Sequence, residues 1–208
     1  MHKNLVFIIA VKKDGQLKPE YEIGIESWRR WCKKNQTLMV DADTIIHPDC
    51  PNFFNETENK YCLVHDDGSY DWVLRGMEHY SKYVYGGDWF NFWEYGNSGF
   101  QIVNDSHRDF FKYMRDFYEE NRENIQSIQS NFGIGTDQTP LNFNLRKQNV
   151  DVKLLPYRYN MGCMLKKEII ADDFLFTKLG WIYHFNGLPN KDQSVPYWME
   201  KTFRYLYD

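Results

Sequence analysis

Apolar runs at the start of the chain predict a strand, a helix and a second strand. Residues Asn4 to Val11 form a continuous apolar run, which is typical of a strand that is buried on both faces of a sheet. Thr37 to Val40 is a second run of this kind, and it leads directly into Asp41. Between the two runs, apolar side chains recur on one face of a helix that ends near Lys34: Tyr21, Ile25, Trp28 and Cys32.

The rest of the chain continues this alternation of strands and helices. Ser106 and Asp109 resemble a capping box that opens a helix, whose apolar face contains Phe110, Met114, Phe117 and Tyr118. Two further helices are predicted at Tyr70 to Tyr85 and Tyr197 to Tyr207. Further strands are predicted at Lys60 to His65, Gly99 to Asn104, Val150 to Pro156 and Trp181 to Phe185. The pattern predicts an α/β fold with a largely parallel or mixed sheet, in one domain over residues 1–208.

Composition narrows the functional classes. The 208 residues carry a net charge of −4 with no block of lysine and arginine, so nothing favours nucleic acid as a partner. No apolar run is long enough for a transmembrane segment, and the short run at the start lacks a signal-peptide cleavage site. Four widely spaced cysteines form no metal motif, and we expect them to be reduced in a cytoplasmic protein.

The strongest local signal is the pair Asp41 and Asp43 in the segment LMVDADTIIHP. Ligands of α/β sheets bind beyond the carboxyl ends of strands, so a buried strand that ends in Asp-x-Asp places two carboxylates at the expected site. Hard divalent cations such as Mg²⁺ and Mn²⁺ bind carboxylates together with phosphate oxygens. Two ordinary loop aspartates, with Asp43 capping a turn, are the alternative.

Two families match this segment. Asp41, Asp43 and Thr44 resemble the first strand end of the haloacid dehalogenase-like phosphatases, which are Mg-dependent and would use Asp41 as the nucleophile. Such an enzyme also needs a lysine and further acids, for which Lys153, Lys166 and Asp172-Asp173 are available. The segment equally resembles the metal-binding DxD motif of GT-A glycosyltransferases.

Three later segments favour the glycosyltransferases. Asn97-Ser98-Gly99 resembles the turn of the glycogenin-like retaining family that approaches the donor sugar. Asp137-Gln138-x-x-Leu141-Asn142 resembles the family motif that begins a helix beside the reacting centre, although Asp137 alone suits a plain helix N-terminus. His184-Phe185-x-Gly187 resembles the family's C-terminal motif, whose histidine completes the metal site.

The resemblance implies a GT-A-like, Rossmann-like nucleotide-diphospho-sugar transferase fold with a mixed central sheet. It implies a metal site of Asp41, Asp43 and His184 that holds Mn²⁺ or Mg²⁺, and the histidine favours Mn²⁺. Asp137 and Gln138 would act at the donor sugar, with Asn97, Ser98, Gly99 and Lys191 as substrate-binding residues. The expected enzyme is a retaining hexosyltransferase that uses a nucleotide-sugar, preferably a UDP-sugar, and a carbohydrate or glycoconjugate acceptor. A nucleotide-sugar-binding module without turnover is a further alternative.

Two features depart from the family pattern. Lys191 lies four residues after Gly187 and is followed by Asp192, whereas the family has its diphosphate-binding lysine three residues after the glycine. The additional strand–helix units that the family normally places between the first helix and the DxD strand are missing, so the chain is either shortened or lacks a segment near residues 35–37. A ring-rich stretch either forms an acceptor platform or packs beneath a loop: Trp89, Phe90, Phe92, Trp93 and Tyr95.

Overall fold

The computed structural model describes residues 6–9, 17–32, 38–66, 68–164 and 170–208. The chain forms two compact units. The first comprises Met1–Glu56, Gly99–Ile102 and Leu155–Asp208, and the second comprises Thr57–Ser98 and Val103–Leu154. The organisation of residues 1–208 as one domain stays a prediction. The segment near 35–37, part of the first predicted strand and the predicted helix end at Lys34 lie outside the described residues.

The first unit contains a mixed sheet. Strand β1 (Val6–Ile9) runs parallel to β2 (Leu38–Asp41), with Val6 opposite Leu38 and Ile9 opposite Asp41. On its other side, β2 runs antiparallel to the second half of β5 (Gly96–Ile102), whose first three residues belong to the second unit. Parallel and antiparallel pairs therefore occur in one sheet, and the predicted α/β class with a mixed sheet is confirmed.

A two-stranded ribbon and two helices complete the first unit. Strand β3 (Thr44–Ile46) pairs antiparallel with β7 (Ile182–His184), and the helices are α1 (Pro19–Cys32) and α6 (Lys191–Tyr207). Helix α1 packs on both β3 and α6. One hydrophobic cluster in the core of this unit contains ten buried apolar side chains: Ile45, Met161, Met164, Ile170, Phe176, Tyr183, Phe185, Leu188, Val195 and Met199.

The second unit packs four helices with the strands β4 (Tyr61–His65), β6 (Val152–Leu155) and the first half of β5. Strand β4 lies between β5 and β6. The helices are α2 (Tyr70–Tyr83), α3 (Arg108–Glu120), α4 (Arg122–Phe132) and α5 (Gln138–Lys147). Helix α5 packs against α2 and α3, and all eight of its residues from Gln138 to Leu145 are buried and carry no charge, which suits this position.

Several predicted boundaries were wrong. Strand β5 begins at Gly96, so the Asn97-Ser98 dipeptide lies inside the strand and is not a turn before it. Helix α6 begins at Lys191, six residues before the predicted start at Tyr197. Strand β3 and helix α4 were not predicted. Among the described residues, no helix is both long and apolar enough to cross a membrane.

The predicted capping box of Ser106 and Asp109 was also wrong. Asn104 caps a short 3₁₀ turn, Asp105–His107, that precedes α3. The Asn104 side-chain oxygen accepts the Ser106 N–H, and the Asn104 N–H donates to His107 Nδ1. Asparagine is at least as good an N-cap as serine. Asn104 therefore caps the turn, and Ser106 lies inside the turn. The predicted apolar face remains, since Phe110, Met114 and Phe117 are buried.

Helix α1 lies directly against the turn between β2 and β3. A methyl group on Gly24 would lie 2.8 Å from the Thr44 carbonyl oxygen and still closer to that of Ala42. Only a residue without a side chain permits this approach. One turn later, the buried Trp28 Nε1–H donates to Thr44 Oγ1 at 2.9 Å. The position of this turn is therefore fixed from the helix side.

We expect Gly24→Ala to destabilise the protein by about 1–3 kcal/mol, because the new methyl group forces α1 away from two backbone carbonyls. The urea midpoint, followed by circular dichroism, measures this change. Glu22→Ala, at an exposed position of the same helix, is the control and should lie within about 0.5 kcal/mol of the wild type. Equal midpoints for the two variants would contradict the proposed close packing.

Candidate functional site

The Asp-x-Asp segment forms a tight turn between two strands of the first unit. Asp41 is the last residue of β2, Ala42 and Asp43 form the turn, and Thr44 begins β3. The Thr44 hydroxyl donates to the Asp41 carbonyl oxygen at 2.7 Å and accepts the Trp28 indole N–H. The turn is thereby closed on itself and joined to α1, so both carboxylates have a fixed backbone.

His184 reaches these carboxylates through strand pairing. It lies opposite Thr44 in the β3–β7 ribbon, and the next N–H, that of Phe185, donates to the Asp43 carbonyl oxygen at 2.9 Å. The imidazole is almost fully buried. Its Nε2 lies 3.2 Å from Asp43 Oδ1 and 3.6 Å from Asp41 Oδ2. The three residues predicted as metal ligands are therefore together.

The arrangement suits a divalent cation. One ligand atom from each of Asp41, Asp43 and His184 lies within 4.8 Å of the other two. Ligands that bind one cation at about 2.1 Å lie roughly 3 Å apart when adjacent and about 4.2 Å apart when opposite. The observed separations need only a small adjustment to meet these values. Two carboxylate oxygens and one imidazole nitrogen form a donor set that Mn²⁺ accepts readily.

The local electrostatics favour an anionic Asp43. Burial by itself raises the pKa of Asp43, but the neighbouring His184 and Lys191 together lower it below its usual value. Lys191, which we predicted as a substrate-binding residue, is the exposed first residue of α6 and contributes positive charge near Asp43. The pKa of Tyr21, in contrast, is raised. Burial raises its pKa first, and the negative charges of Asp43 and Asp41 raise it further.

The second unit joins the predicted sugar-face residues by hydrogen bonds. The Ser98 hydroxyl donates to Asp137 Oδ2 at 2.7 Å, and the Ser98 N–H donates to Gln138 Oε1 at 3.0 Å. Residues of β5 and the start of α5 are thus connected at two points. The Asp137 side chain is exposed, whereas Gln138 is buried. Of this pair, Asp137 presents its carboxylate to solvent and Gln138 has both ends of its amide bonded within the protein.

Asp66 completes this network and was missed in the sequence. It follows β4, and its Oδ2 accepts the Gln138 Nε2–H at 2.6 Å and the Asn97 Nδ2–H at 3.2 Å. The signal that could have identified it is the one used for Asp41, an acidic residue directly after a buried strand. Tyr21 was also missed as a neighbour of the carboxylates, because its helical spacing explained it as a packing residue.

The start of α5 is not a simple N-cap. Asp137 occupies the cap position, yet its side chain makes no capping hydrogen bond. The plain helix-terminus explanation of the Asp-Gln motif is therefore incomplete. The carboxylate is instead oriented by Ser98, at the positive end of a helix dipole that stabilises negative charge. Gly99, the third residue of the predicted Asn-Ser-Gly turn, is buried inside β5 and falls in the first unit.

Asn142 explains why the motif extends beyond Asp137 and Gln138. Its side-chain oxygen accepts the Gly96 N–H at 2.8 Å, and its amide N–H groups donate to the carbonyl oxygens of Gly96 at 2.7 Å and Gln138 at 2.9 Å. A side chain on Gly96 would lie within 2.6 Å of Leu63 Cβ. Asn142 therefore attaches α5 to the first residue of β5, and so sets the distance between Gln138 and Ser98.

Comparison with known proteins gives only remote likenesses in fold. No model of a known protein family and no curated protein matches the sequence. One similar structure is a glycosyltransferase involved in the glycosylation of the major capsid of PBCV-1, with 11% identity and a TM-score of 0.42 over 91% of this chain and 80% of that chain. The galactosyltransferase LgtC, in complex with donor and acceptor sugar analogs, is 14% identical with a TM-score of 0.42 over 88% of this chain and 67% of that one. Likenesses at this level do not decide what this chain does.

We expect Asn142→Ala to destabilise the protein by about 2–4 kcal/mol, because it removes three buried hydrogen bonds and leaves both backbone groups of Gly96 without their partner. Chemical unfolding measured by circular dichroism tests this. Asn124→Ala, at an exposed position on α4, is the matched control and should be nearly neutral. A neutral Asn142→Ala would show that this side chain does not attach α5 to β5.

Proposed function

We propose that the protein is a metal-dependent glycosyltransferase that moves a sugar from a nucleoside diphosphate donor, with UDP-sugars favoured, to a carbohydrate or glycoconjugate acceptor. The observation that carries the proposal is the convergence of Asp41, Asp43 and His184, whose ligand atoms lie within 4.8 Å of one another. The sequence resemblance selected these residues from two segments that are far apart in the chain, and their ligand atoms lie close together in the first unit.

In this proposal, Asp41, Asp43 and His184 hold Mn²⁺ or Mg²⁺. A bound cation would neutralise charge on the donor diphosphate as it leaves. Lys191 supports the same role, because its ammonium group adds positive charge beside Asp43. His184 is buried and its backbone is fixed by β3, so it is an oriented ligand and needs little reorganisation when the donor binds.

Asp137 and Gln138 are proposed to act on the donor sugar, with Asn97, Ser98 and Gly99 as neighbouring substrate-binding residues. The exposed Asp137 carboxylate, oriented by Ser98, can stabilise the positive charge that develops at the anomeric carbon. Gln138 is bonded at both ends by Ser98 and Asp66, and this fixes the amide in one orientation. Retention of the anomeric configuration is proposed from the sequence resemblance.

The contacts of the candidate phosphatase residues do not support the phosphatase alternative. Lys153 donates to Glu58 at 2.6 Å, and Asp172 accepts from Lys201 at 2.8 Å, so each is engaged in a surface ion pair. Lys166 lies outside the described residues. The phosphatase mechanism also gives no role to His184, which contacts both carboxylates. A binding module without turnover uses the same ligands and differs only in the lack of transfer.

The first test of the proposal is metal-dependent nucleotide binding. We expect UDP to raise the melting temperature only when Mn²⁺ is present, since a ligand at 100 times its Kd stabilises the native state by about 2.7 kcal/mol. GDP and CMP should give smaller shifts. Asp43→Asn and His184→Ala should each abolish the UDP shift, because each removes one ligand of the cation.

The controls for this test are Asp49→Asn, an exposed aspartate close in sequence, and His47→Ala. Both should keep the wild-type UDP shift. If Asp43→Asn and His184→Ala also keep it, the metal assignment is wrong. If the wild type instead hydrolyses a generic phosphate ester and no nucleotide changes its melting temperature, the phosphatase alternative is correct.

The second test separates binding from chemistry. Asp137→Ala should keep the Mn²⁺-dependent UDP shift but lower kcat for transfer, or for slow donor hydrolysis, by on the order of 10² or more, because it removes stabilisation made in the transition state. The release of UDP from the donor is the measurement. Asp109→Ala, an exposed aspartate in the first turn of α3, should leave kcat unchanged. Normal turnover by Asp137→Ala would exclude its catalytic role, and absence of turnover in the wild type would indicate a binding module.

A further inference from the structure

The second unit exposes a group of aromatic side chains that we call the aromatic surface: His65, Tyr70, Phe92 and Trp93. Trp93 is 63% exposed and Tyr70 is 48% exposed, whereas Phe92 and His65 are partly buried. The structure divides the ring-rich stretch of the sequence in two. Tyr95 is buried in the core and Phe90 stacks on it, whereas Phe92 and Trp93 belong to the surface.

The rings of the aromatic surface support one another. Phe92 makes edge-to-face contacts with Tyr70 and Trp93, with centroids 5.3 Å and 5.2 Å away. Tyr70 and Trp93 lie 6.3 Å apart with their planes at 74°. The backbone is fixed as well, because Asn91 Oδ1 accepts the Trp93 N–H at 3.1 Å. Trp93 is therefore an exposed ring whose orientation is set before any ligand arrives.

The aromatic surface continues directly into the polar network of the second unit. His65 is followed by Asp66, whose N–H donates to the Tyr95 carbonyl oxygen at 3.0 Å and whose carboxylate accepts from Gln138 at 2.6 Å. His65 itself contacts Phe92 and Trp93, with centroids 5.8 Å and 5.7 Å away. One side of this region is thus aromatic, and the adjoining side holds the half-buried Asp66 carboxylate, whose oxygens also accept from Gly68, Asn97 and Gln138.

Such a combination matches the chemistry of a sugar ring. A pyranose has a face of C–H groups, which suits the electron-rich face of an aromatic ring, and a rim of hydroxyl donors, which suits carboxylate acceptors. His65 adds a second observation. Both of its ring nitrogens are buried and make no hydrogen bond within the described part of the chain. An unsatisfied buried polar group is costly, and a rotation of the half-buried His65 ring that brought one nitrogen to a ligand hydroxyl would remove the cost.

We propose that the aromatic surface binds a sugar ring of the acceptor, with Trp93 as the stacking residue and Asp66 as a hydrogen-bond acceptor for its hydroxyls. This inference rests on the proposed glycosyltransferase function. It adds a location for the acceptor and names the residue that decides its affinity.

The test is direct sugar binding by the whole chain, measured by saturation-transfer NMR with lactose, maltose, cellobiose and chitobiose, each at about 5 mM, a range suited to weak binding. The wild type should bind at least one of them. Trp93→Ala should weaken that binding about tenfold, because it removes an exposed aromatic contact of the kind that dominates binding sites. Trp93→Phe, which keeps a ring, should retain most of the affinity.

Trp89→Ala is the matched control, because Trp89 is 54% exposed but makes no ring contact with the aromatic surface in the described chain. It should bind the disaccharide as the wild type does. The proposal is overturned if no disaccharide binds, or if Trp93→Ala binds as tightly as the wild type. It is also overturned if the only effect of Trp93→Ala is a lower molecular mass of the protein in solution. The aromatic surface would then be a contact between two copies of this chain.

Mn²⁺-dependent UDP binding, measured on the same proteins, distinguishes this inference from the proposed function. Trp93→Ala should keep the wild-type UDP shift. If the wild type binds a disaccharide through Trp93 but never binds UDP, the sugar site stands and the transferase proposal fails. If UDP binding and donor hydrolysis are normal but no variant of Trp93 changes disaccharide binding, the transferase proposal stands and the acceptor site is elsewhere.

Discussion

The pairing of Thr44 with His184 across the β3–β7 ribbon is the contact on which the Asp41, Asp43 and His184 cluster of the first unit depends. Asp41 and Asp43 occupy one tight turn, and two carboxylates so close repel each other unless positive charge offsets them. The ribbon places the buried imidazole of His184 3.2 Å from Asp43 and 3.6 Å from Asp41, and this neighbour helps to lower the pKa of Asp43. Helix α1 then fixes the turn from the other side, through Gly24 and the hydrogen bond of Trp28 to Thr44.

The second unit holds several polar side chains in one orientation through hydrogen bonds. Asn142 bonds both backbone groups of Gly96, so α5 and β5 keep a constant separation. The Ser98 N–H can then donate to the Gln138 side-chain oxygen, and the Gln138 amide nitrogen donates to Asp66. Each of these side chains has protein partners that limit its rotamers, which is the condition for a site that stabilises developing charge without rearranging.

The abundance of aromatic residues has two distinct outcomes. Tyr61, Tyr80 and Tyr95 are fully buried in the second unit, and desolvation raises the pKa of each hydroxyl far above its usual value. These rings are part of the core. Trp93 and Tyr70 are exposed on a rigid support beside Asp66, where packing alone does not explain them. Composition cannot separate these outcomes, because burial depends on which strand or helix lies above each ring.

The sequence by itself determined most of the local elements and selected the three residues that we propose as metal ligands. The apolar run before Asp41 predicted β2, the spacing of Tyr21, Ile25 and Trp28 predicted α1, and Asp137-Gln138 marked the start of α5. These signals are local, since a buried strand or an amphipathic helix is encoded by the period of its own side chains. Only the tertiary structure decided that His184 lies opposite Thr44, that Asp66 binds Gln138, and that β5 begins at Gly96. Each of these depends on strand register and on contacts between residues far apart in the chain, which no local pattern of polar and apolar residues specifies.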